Sequence, residues 1–233
     1  MKTEAAFVRS AASAGDLPGD GLPELAMVGR SNVGKSSLIN ALVRRRVART
    51  SAAPGKTRLA NIYRVAHGAR PFYLVDLPGY GYARGDRLEL EAVARSYFGR
   101  NRQEERDGQD GGGARGFSRA IAALLLIDAR HPGLESDLQA WSWLKSTAEN
   151  VAIVATKIDK LSRAERLRAI AANEAVFEHP VQPVSADTGE GLDELWKLID
   201  RLLNSLKLQP RRSSNPPSRT AQAASRRRRR PKS

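Results

Sequence analysis

Residues 29–36 read Gly-Arg-Ser-Asn-Val-Gly-Lys-Ser, which is the pattern G-x-x-x-x-G-K-S. The pattern follows an apolar run at 25–28 and precedes a helical pattern at 37–42. Glycines at both ends allow the backbone to curl, so that successive N–H groups can face phosphate oxygens. Lys35 can then reach the β- and γ-phosphates, Ser36 can bind Mg²⁺ through its hydroxyl, and the helix N-terminus adds partial positive charge. The segment is therefore predicted to bind a nucleoside triphosphate.

Three further motifs, each after an apolar run, indicate which nucleotide binds. In the first motif, Asp76 follows the apolar run 72–75 at the end of a predicted strand. A carboxylate at that position can hold Mg²⁺, and the N–H of Gly79 can sense a γ-phosphate. Asp159 closes Thr-Lys-Ile-Asp, and its carboxylate can accept two hydrogen bonds from guanine, a donor pair that adenine lacks. Ser185 and Ala186 follow the run 181–184, and a backbone N–H there can meet guanine O6. The motifs in this order predict GTP or GDP as the ligand.

These motifs resemble those of the Ras-like, translation-factor-related GTPases and, more narrowly, of the bacterial EngB (YihA/YsxC) ribosome-biogenesis GTPases. The narrow resemblance is carried by residues 29–42, 48–58, 75–83, 126–131 and 156–161, and it spans about residues 7–206 with one extra insertion. The unpermuted motif order disfavours the circularly permuted ribosomal GTPases. The resemblance implies a slow GTPase switch that assists assembly of the large ribosomal subunit, with a link to cell division and septation.

Residues 50–59 contain Gly and Pro and form a loop of the kind that can order over a γ-phosphate and relax after hydrolysis. By sequence alone, Thr50, Ser51 and Thr57 are each candidates for a second hydroxyl on Mg²⁺, and the resemblance favours Thr57. The predicted catalytic residues are Lys35, Thr57 and Gly79, and the predicted metal ligands are Ser36, Thr57 and Asp76. The predicted nucleotide contacts are Gly29, Arg30, Ser31, Asn32, Val33, Gly34, Lys35, Ser36, Ser37, Gly55, Lys56, Thr57, Arg58, Leu59, Asp76, Leu77, Pro78, Gly79, Thr156, Lys157, Ile158, Asp159, Val184, Ser185 and Ala186.

Three positions lead to expectations about rate and affinity. Tyr80 stands where Ras-type enzymes place the glutamine that orients the attacking water, so slow intrinsic hydrolysis is expected. The resemblance implies that Asn32 recruits K⁺, which some GTPases of this wider group use where others use an arginine finger. Thr156 replaces an asparagine that often braces the loop and the base, so we expect the brace to be lost and the affinity to be micromolar. Guanine choice should survive, because Asp159 supplies most of it.

Length and composition limit the classes of function. The 233 residues can hold one domain with a sizeable core and tails. The absence of cysteine excludes disulfides, thiol catalysis and cysteine-based metal sites. The longest apolar run, at 120–127, is far too short to span a bilayer, and the first residues show no secretory signal pattern. A soluble, cytoplasmic protein is therefore expected.

The net charge of +14 is unevenly distributed along the chain. Residues 209–233 contain nine basic and no acidic residues, which leaves +5 for residues 1–208. We predict that this tail is disordered and that its run of arginines at 226–230 binds RNA phosphates in a salt-dependent manner. A solvated tail without a partner stays open as an alternative, and attachment to a membrane surface is less favoured because no apolar residue accompanies the charges.

Strand and helix patterns alternate along the chain, which predicts an α/β fold: a three-layer P-loop NTPase of the Ras-like kind, with a mostly parallel six-stranded sheet and helices on both faces. All the motifs then lie at the carboxyl ends of strands, where ligands bind in such folds. Strands are predicted near 24–28, 59–65, 72–76, 120–127, 151–155 and 181–184, and helices near 35–44, 87–98, 135–148, 162–173 and 191–206.

The expected organisation is an N-terminal extension at 1–20, a G domain at 21–208 with a flexible insertion at about 100–117, and the disordered basic tail at 209–233. A monomer is expected. The leading hypothesis is a GTP-driven factor that docks on the precursor of the large ribosomal subunit and its rRNA. The alternatives are a GTPase acting in cell division without a direct ribosomal role, and an RNA-binding protein with a vestigial nucleotide site.

Overall fold

Strands and helices alternate along most of the structure, as the sequence predicts. The computed structural model describes residues 3–12, 16, 18, 20–49, 59–68, 70–80, 97–98, 121–148 and 150–206. The strands are β1 Thr3–Ala11, β2 Glu24–Gly29, β3 Ala60–His67, β4 Arg70–Asp76, β5 Ile121–Asp128, β6 Asn150–Thr156 and β7 Val181–Pro183. The helices described are α1 Lys35–Val43, α2 Glu135–Thr147, α3 Arg163–Phe177 and α4 Leu192–Ser205, with a 3₁₀ turn at Ile158–Lys160.

The strands form one mixed sheet in the order β1-β3-β4-β2-β5-β6-β7. Strands β4, β2, β5, β6 and β7 run parallel, whereas β3 is antiparallel to β4 and β1 is antiparallel to β3. Strand β5 is buried along its whole length, which is typical of a central parallel strand covered on both faces. The predicted α/β P-loop fold with a mostly parallel sheet is confirmed.

Two of the four helices with described bounds cover each face of the sheet. On one face, α1 and α4 pack on the sheet through apolar residues such as Leu38, Leu42 and Ile199. On the other face, α2 and α3 contribute Trp141 and Phe177 to a second hydrophobic core. Because helices cover both faces, the loops converge at the edge of the sheet where the parallel strands end.

The sheet has one strand more than the six predicted. Residues of β1 lie in the range assigned to an N-terminal extension, but they pair with β3 from Thr3 opposite His67 to Ala11 opposite Ala60. Only Ala5 and Ala11 of β1 are buried, and the buried side chains are small. An edge strand with one thinly covered face gives little hydrophobic periodicity, so the sequence pattern does not reveal it.

The other strand and helix predictions agree with the structure within a few residues, wherever the structure describes them. Helix α3 extends to Phe177, beyond the predicted end at residue 173, and it begins with a capping box between Ser162 and Glu165. Most of the predicted helix at 87–98, the insertion at about 100–117 and the tail at 209–233 lie outside the described residues. No helix in the described part of the chain is long and apolar enough to cross a membrane.

Candidate nucleotide-binding site

The G-x-x-x-x-G-K-S segment forms a tight loop between β2 and α1. Asn32 and Gly34 have left-handed backbone conformations, with φ of 63° and 105°. A Cβ atom on Gly29 would lie 2.7 Å from the carbonyl oxygen of Leu126, so the close approach of β5 requires glycine at that position. The loop therefore has the curled backbone that the sequence predicts.

Lys35 lies inside this curl, although it is a charged residue. Its Nζ donates to the carbonyl oxygens of Gly29 at 3.0 Å and of Arg30 at 3.3 Å. Burial lowers the pKa of Lys35, and the negative charge of Asp76 opposes that shift. The loop carbonyls thus hold the ammonium group inside the loop. From there it can move a short distance to a phosphate oxygen.

Asp76 ends β4 next to α1 and is 2% exposed. Its Oδ2 accepts a hydrogen bond of 3.1 Å from Ser36 Oγ, while its buried Oδ1 has no hydrogen-bond partner among the described residues. Burial raises the pKa of Asp76, and the charge of Lys35 and the bond from Ser36 oppose that shift. A buried carboxylate oxygen without a partner is costly unless something binds it. A carboxylate and a hydroxyl side by side are oxygen ligands of the kind that Mg²⁺ takes, so these residues fit the predicted metal.

The end of the Asp-Leu-Pro-Gly motif touches the phosphate loop directly. A Cβ atom on Gly79 would lie 2.8 Å from Ser31 N and 3.0 Å from Lys35 Nζ. Ser31 donates to two carbonyl oxygens of this segment, from its amide to Tyr80 at 2.9 Å and from its hydroxyl to Gly79 at 3.3 Å. The backbone of Gly79 therefore lies beside the group that would hold a γ-phosphate.

Tyr80 is fixed by a contact with helix α2, and the sequence pattern does not predict this contact. Its hydroxyl donates a 2.8 Å hydrogen bond to Asp137 Oδ1, and Asp137 is 1% exposed. Burial raises the pKa of Asp137, while the bond from Tyr80 and the charge of Arg30 oppose that shift. In this arrangement the tyrosine hydroxyl is occupied by Asp137, and the slow hydrolysis expected from Tyr80 stays a prediction.

Thr156 braces the phosphate loop, contrary to the expectation that the brace would be lost. Its Oγ1 lies 2.7 Å from the carbonyl oxygen of Val33 and 3.0 Å from that of Ile127. The hydroxyl therefore joins the end of β6 to the loop between β2 and α1. The threonine hydroxyl reaches the loop because Thr156 is buried against it, whereas the loss of a contact with the base stays a prediction.

We expect Thr156→Val to lower the free energy of unfolding by about 1–2 kcal/mol, because it leaves a buried carbonyl oxygen without its donor. Since Val33 lies in the phosphate loop, GDP affinity should also fall, by about fivefold to tenfold. Urea unfolding and titration with labelled GDP measure the two effects. Thr147→Val is the matched control, because its hydroxyl also donates to a backbone carbonyl but lies on α2. An unchanged GDP affinity in Thr156→Val would show that the contact does not support the loop.

Lys157 joins the guanine motif to the phosphate loop. It also binds Asp128, a residue that the site prediction missed. Lys157 Nζ donates to Asn32 O at 2.6 Å and to Asp128 Oδ2 at 3.0 Å. Arg130 makes a two-pronged contact with the same carboxylate. Burial raises the pKa of Asp128, but the bonds from Arg130 and Lys157 outweigh burial and hold that pKa well below its usual range. The signal was present in the sequence, since Asp128 ends an apolar run as Asp76 does.

Asp159, the predicted guanine ligand, is oriented by Ser185 of the next motif. Ser185 Oγ donates to Asp159 Oδ1 at 2.7 Å, and Ser185 is fully buried. Lys160 Nζ lies 2.8 Å from Asp159 Oδ2 in an ion pair, but that oxygen accepts no well-aligned hydrogen bond within the described residues. Burial raises the pKa of Asp159, and the contacts with Lys160 and Ser185 outweigh burial and lower it. The carboxylate is therefore ionised and positioned, with acceptor capacity left for a ligand.

The loop after β7 is closed by residues that the sequence motifs do not include. The amide of Ser185 donates to Glu190 O at 2.9 Å, which leaves the Ala186 amide as the candidate donor to guanine O6. Glu190 also pairs with Arg166 of α3, and Arg166 donates to Ile158 O at 3.1 Å. These contacts tie the Thr-Lys-Ile-Asp and Ser-Ala motifs to each other.

We expect Gly191→Ala to lower the free energy of unfolding by about 3 kcal/mol, because this loop leaves no room for a side chain. Gly191 has φ of 78°, and a Cβ atom there would lie 2.2 Å from Pro183 O. Gly21→Ala is the matched control, because Gly21 has φ of 77° and a Cβ atom there would have no other atom within 4 Å. The control should lose about 1 kcal/mol in urea unfolding. Equal losses in the two variants would contradict the steric argument.

Most of the remaining predicted site residues fall into three groups. Leu77, Ile158 and Val184 are almost fully buried in the cores, so their side chains position the motifs and only their backbones can face a ligand. Ser37 and Leu59 are exposed at the rim. Gly55, Lys56, Thr57 and Arg58 lie outside the described residues, so the second hydroxyl on Mg²⁺ stays a prediction.

Comparison with known proteins agrees with this geometry. A sequence profile of the family described as "50S ribosome-binding GTPase" matches residues 24–157. The chain is 41% identical over 202 residues to the "Probable GTP-binding protein EngB" of Pelotomaculum thermopropionicum, which covers 84% of this chain and 94% of the relative. It is 40% identical over 204 residues to the protein of the same name from Thermotoga maritima, covering 84% of this chain and 95% of the relative.

Two solved structures have the same fold. One is Era in complex with MgGDPNP and nucleotides 1506–1542 of 16S ribosomal RNA, with a TM-score of 0.59 and 25% identity over 79% of this chain and 56% of that chain. The other is a crystal structure of a probable GTP-binding protein EngB, with a TM-score of 0.54 and 20% identity over 78% of this chain and 98% of that chain. The chain belongs to the EngB family of GTP-binding proteins, and it is a P-loop GTPase that binds GTP and GDP.

Proposed function

We propose that this GTPase docks on the precursor of the large ribosomal subunit in its GTP-bound state and leaves after hydrolysis. The observation that carries the ribosomal part is the match of residues 24–157, which include the phosphate loop, to a family described as 50S ribosome-binding GTPases. The structural neighbour Era is bound to ribosomal RNA, which supports an RNA partner for a related fold. A location in the cytoplasm follows from this partner. A role in cell division and septation is the alternative if ribosomal docking fails.

The geometry supports a switch that depends on Mg²⁺ and on the γ-phosphate. Ser36, Asp76 and the predicted Thr57 would hold the metal, which when bound would supply positive charge against the negative charge that develops on the phosphates. Lys35 would exchange its bonds with the loop carbonyls for bonds with phosphate oxygens. Gly79 would turn its amide to the γ-phosphate, and this movement has to break the contacts that hold its segment on Ser31. GTP and GDP would thereby favour different positions of the Gly79 segment.

Ribosome sedimentation tests the docking proposal. Purified large subunits and their precursors are pelleted with the full chain in the presence of a non-hydrolysable GTP analogue, of GDP, or of neither. We expect the chain to pellet with the analogue and to stay in the supernatant with GDP. Pelleting that does not depend on the nucleotide, or its absence in all three conditions, would overturn the proposal.

Potassium is expected to stimulate the proposed reaction through Asn32. Asn32 is exposed on the phosphate loop, and its left-handed backbone is fixed by the bond from Lys157 to its carbonyl oxygen. The side-chain oxygen is therefore available as a cation ligand near the site of developing charge. GTP turnover with ribosomes should be faster in K⁺ than in Na⁺ buffers. Asn32→Gly, which keeps the left-handed backbone, should remove the difference, and equal turnover of the unaltered chain in both salts would refute the role of K⁺.

A further inference from the structure

We propose that the turn after α1 is a preformed contact surface for the phosphate backbone of structured RNA. This arginine turn, residues 44–49, carries Arg44, Arg45, Arg46 and Arg49, and all four side chains are exposed. It lies at the opposite end of α1 from the phosphate loop, about 14 Å away for a helix of this length. The proposed function gives the class of partner, and the inference rests on it in that respect only.

The backbone of the arginine turn is fixed by Asn40. The Asn40 side chain donates to Ala48 O at 2.8 Å, and its oxygen accepts from the amides of Val47 at 2.9 Å and Ala48 at 2.8 Å. Arg44 ends the helix in the left-handed conformation, with φ of 52°. Apolar residues anchor both ends of the turn, since Val43 and Ala48 are buried in the core beneath α1. The turn therefore needs little further ordering when it binds a partner.

The positive charge of the arginine turn is not compensated within the described part of the chain. None of its four guanidinium groups forms an ion pair or a side-chain hydrogen bond with another described residue. By contrast, Arg130 and Arg166 are paired with carboxylates. Four like charges on six residues repel one another, and a dense line of anions relieves that repulsion.

Phosphates of RNA fit this surface better than a membrane does. The planar guanidinium group donates two parallel hydrogen bonds to a phosphate, and the turn presents several such groups side by side. No large apolar side chain is exposed on the turn, so a lipid bilayer would gain no insertion energy there. The surface thus favours a polyanion that is bound by charge and hydrogen bonds alone.

The last residue that the structure describes lies on the same face of the sheet as the arginine turn. Leu206, the last residue that the structure describes, is 5% exposed and belongs to the same hydrophobic core as Val43 and Ala48. Residues 209–233, with their nine basic residues, follow closely in the sequence. The arginine turn and Leu206 therefore lie on the α1 and α4 face of the sheet, while α3 lies on the opposite face.

The test compares two full-length variants with the same loss of charge on opposite faces. Arg45→Gln with Arg46→Gln alters the turn, and Arg163→Gln with Arg168→Gln alters exposed positions of α3. The probe is a labelled RNA duplex of arbitrary sequence, measured by fluorescence anisotropy at several salt concentrations. We expect the turn variant to bind about tenfold more weakly and to lose about two units of the slope of log K against log salt, and the α3 variant to change little. GDP affinity should be unchanged in both variants, which shows that they are folded.

Equal weakening in the two variants would overturn the inference, because binding would then depend only on net charge. Unchanged binding in the turn variant would overturn it as well. Vesicles of anionic phospholipid serve as a second probe, and a turn variant that loses vesicle binding but keeps RNA binding would assign the surface to a membrane instead. The inference and the proposed function can fail separately, since the turn variant can lose duplex binding whether or not the unaltered chain pellets with large subunits in the presence of the GTP analogue.

Discussion

Asp159→Asn should weaken GDP binding about a thousandfold and should turn the preference of the site towards xanthosine diphosphate. The carboxylate of Asp159 is ionised, held by Ser185 and left with acceptor capacity at Oδ2. It can therefore accept two charge-assisted hydrogen bonds from the N1–H and the amino group of guanine, each worth about 1.5–3 kcal/mol. The amide of asparagine would place an N–H opposite one of those donors, whereas the O2 oxygen of xanthine can accept from that N–H.

The measurement is competition between GDP and xanthosine diphosphate for the variant and for the unaltered chain. Asp187→Asn is the matched control, because Asp187 also faces Lys160, at 3.5 Å, but its side chain is 76% exposed. The control should keep the affinity and the preference for guanine. If Asp159→Asn kept the same preference over the xanthine nucleotide, the base would have to be read elsewhere, and the assignment of the guanine motif would be wrong.

The sequence is sufficient to predict the motifs because each one combines a local signal with a strand end. A polar residue directly after an apolar run lies at the carboxyl edge of a parallel sheet, so Lys35, Asp76, Asp159 and Ser185 can be placed together without a structure. Asp128 satisfies the same criterion, but its role depends on Lys157 and Arg130 reaching it from other segments. The reach of a side chain is a tertiary property, and no local pattern contains it.

The sequence could not predict contacts between segments that meet only in the folded structure. The bond from Tyr80 to Asp137 joins two segments that are 57 residues apart, and nothing in either segment points to the other. Thr156 shows the opposite failure, because the departure from the common asparagine predicted a lost brace, whereas the threonine hydroxyl contacts the carbonyl oxygen of Val33. Gly191 is a third case, since its requirement for glycine comes from Pro183 O and not from a turn pattern. In each case the deciding distance is set by how the two segments pack.

Asp76→Asn should remove most of the dependence of nucleotide binding on Mg²⁺ and lower the GTP turnover rate about a hundredfold. The amide has nearly the same shape as the carboxylate, and its oxygen can still accept the bond from Ser36. What the substitution removes is the buried negative charge whose Oδ1 has no partner among the described residues. Nucleotide affinity measured in EDTA should therefore change little, while the gain on adding Mg²⁺ should largely disappear.

Asp137→Asn is the matched control for Asp76→Asn, because it converts another buried carboxylate that accepts a bond from a hydroxyl group, here that of Tyr80. Asp137 lies on α2 beyond Tyr80 and is not a predicted metal ligand. The control should keep its response to Mg²⁺, because only the charge at Asp76 lies beside Ser36 and Lys35. Removing the cost of burying a charge, or disturbing the packing, would affect the two variants alike. Loss of a metal ligand would affect Asp76→Asn alone. Equal Mg²⁺ responses in the two variants would therefore remove Asp76 from the metal site and leave its unpartnered oxygen unexplained.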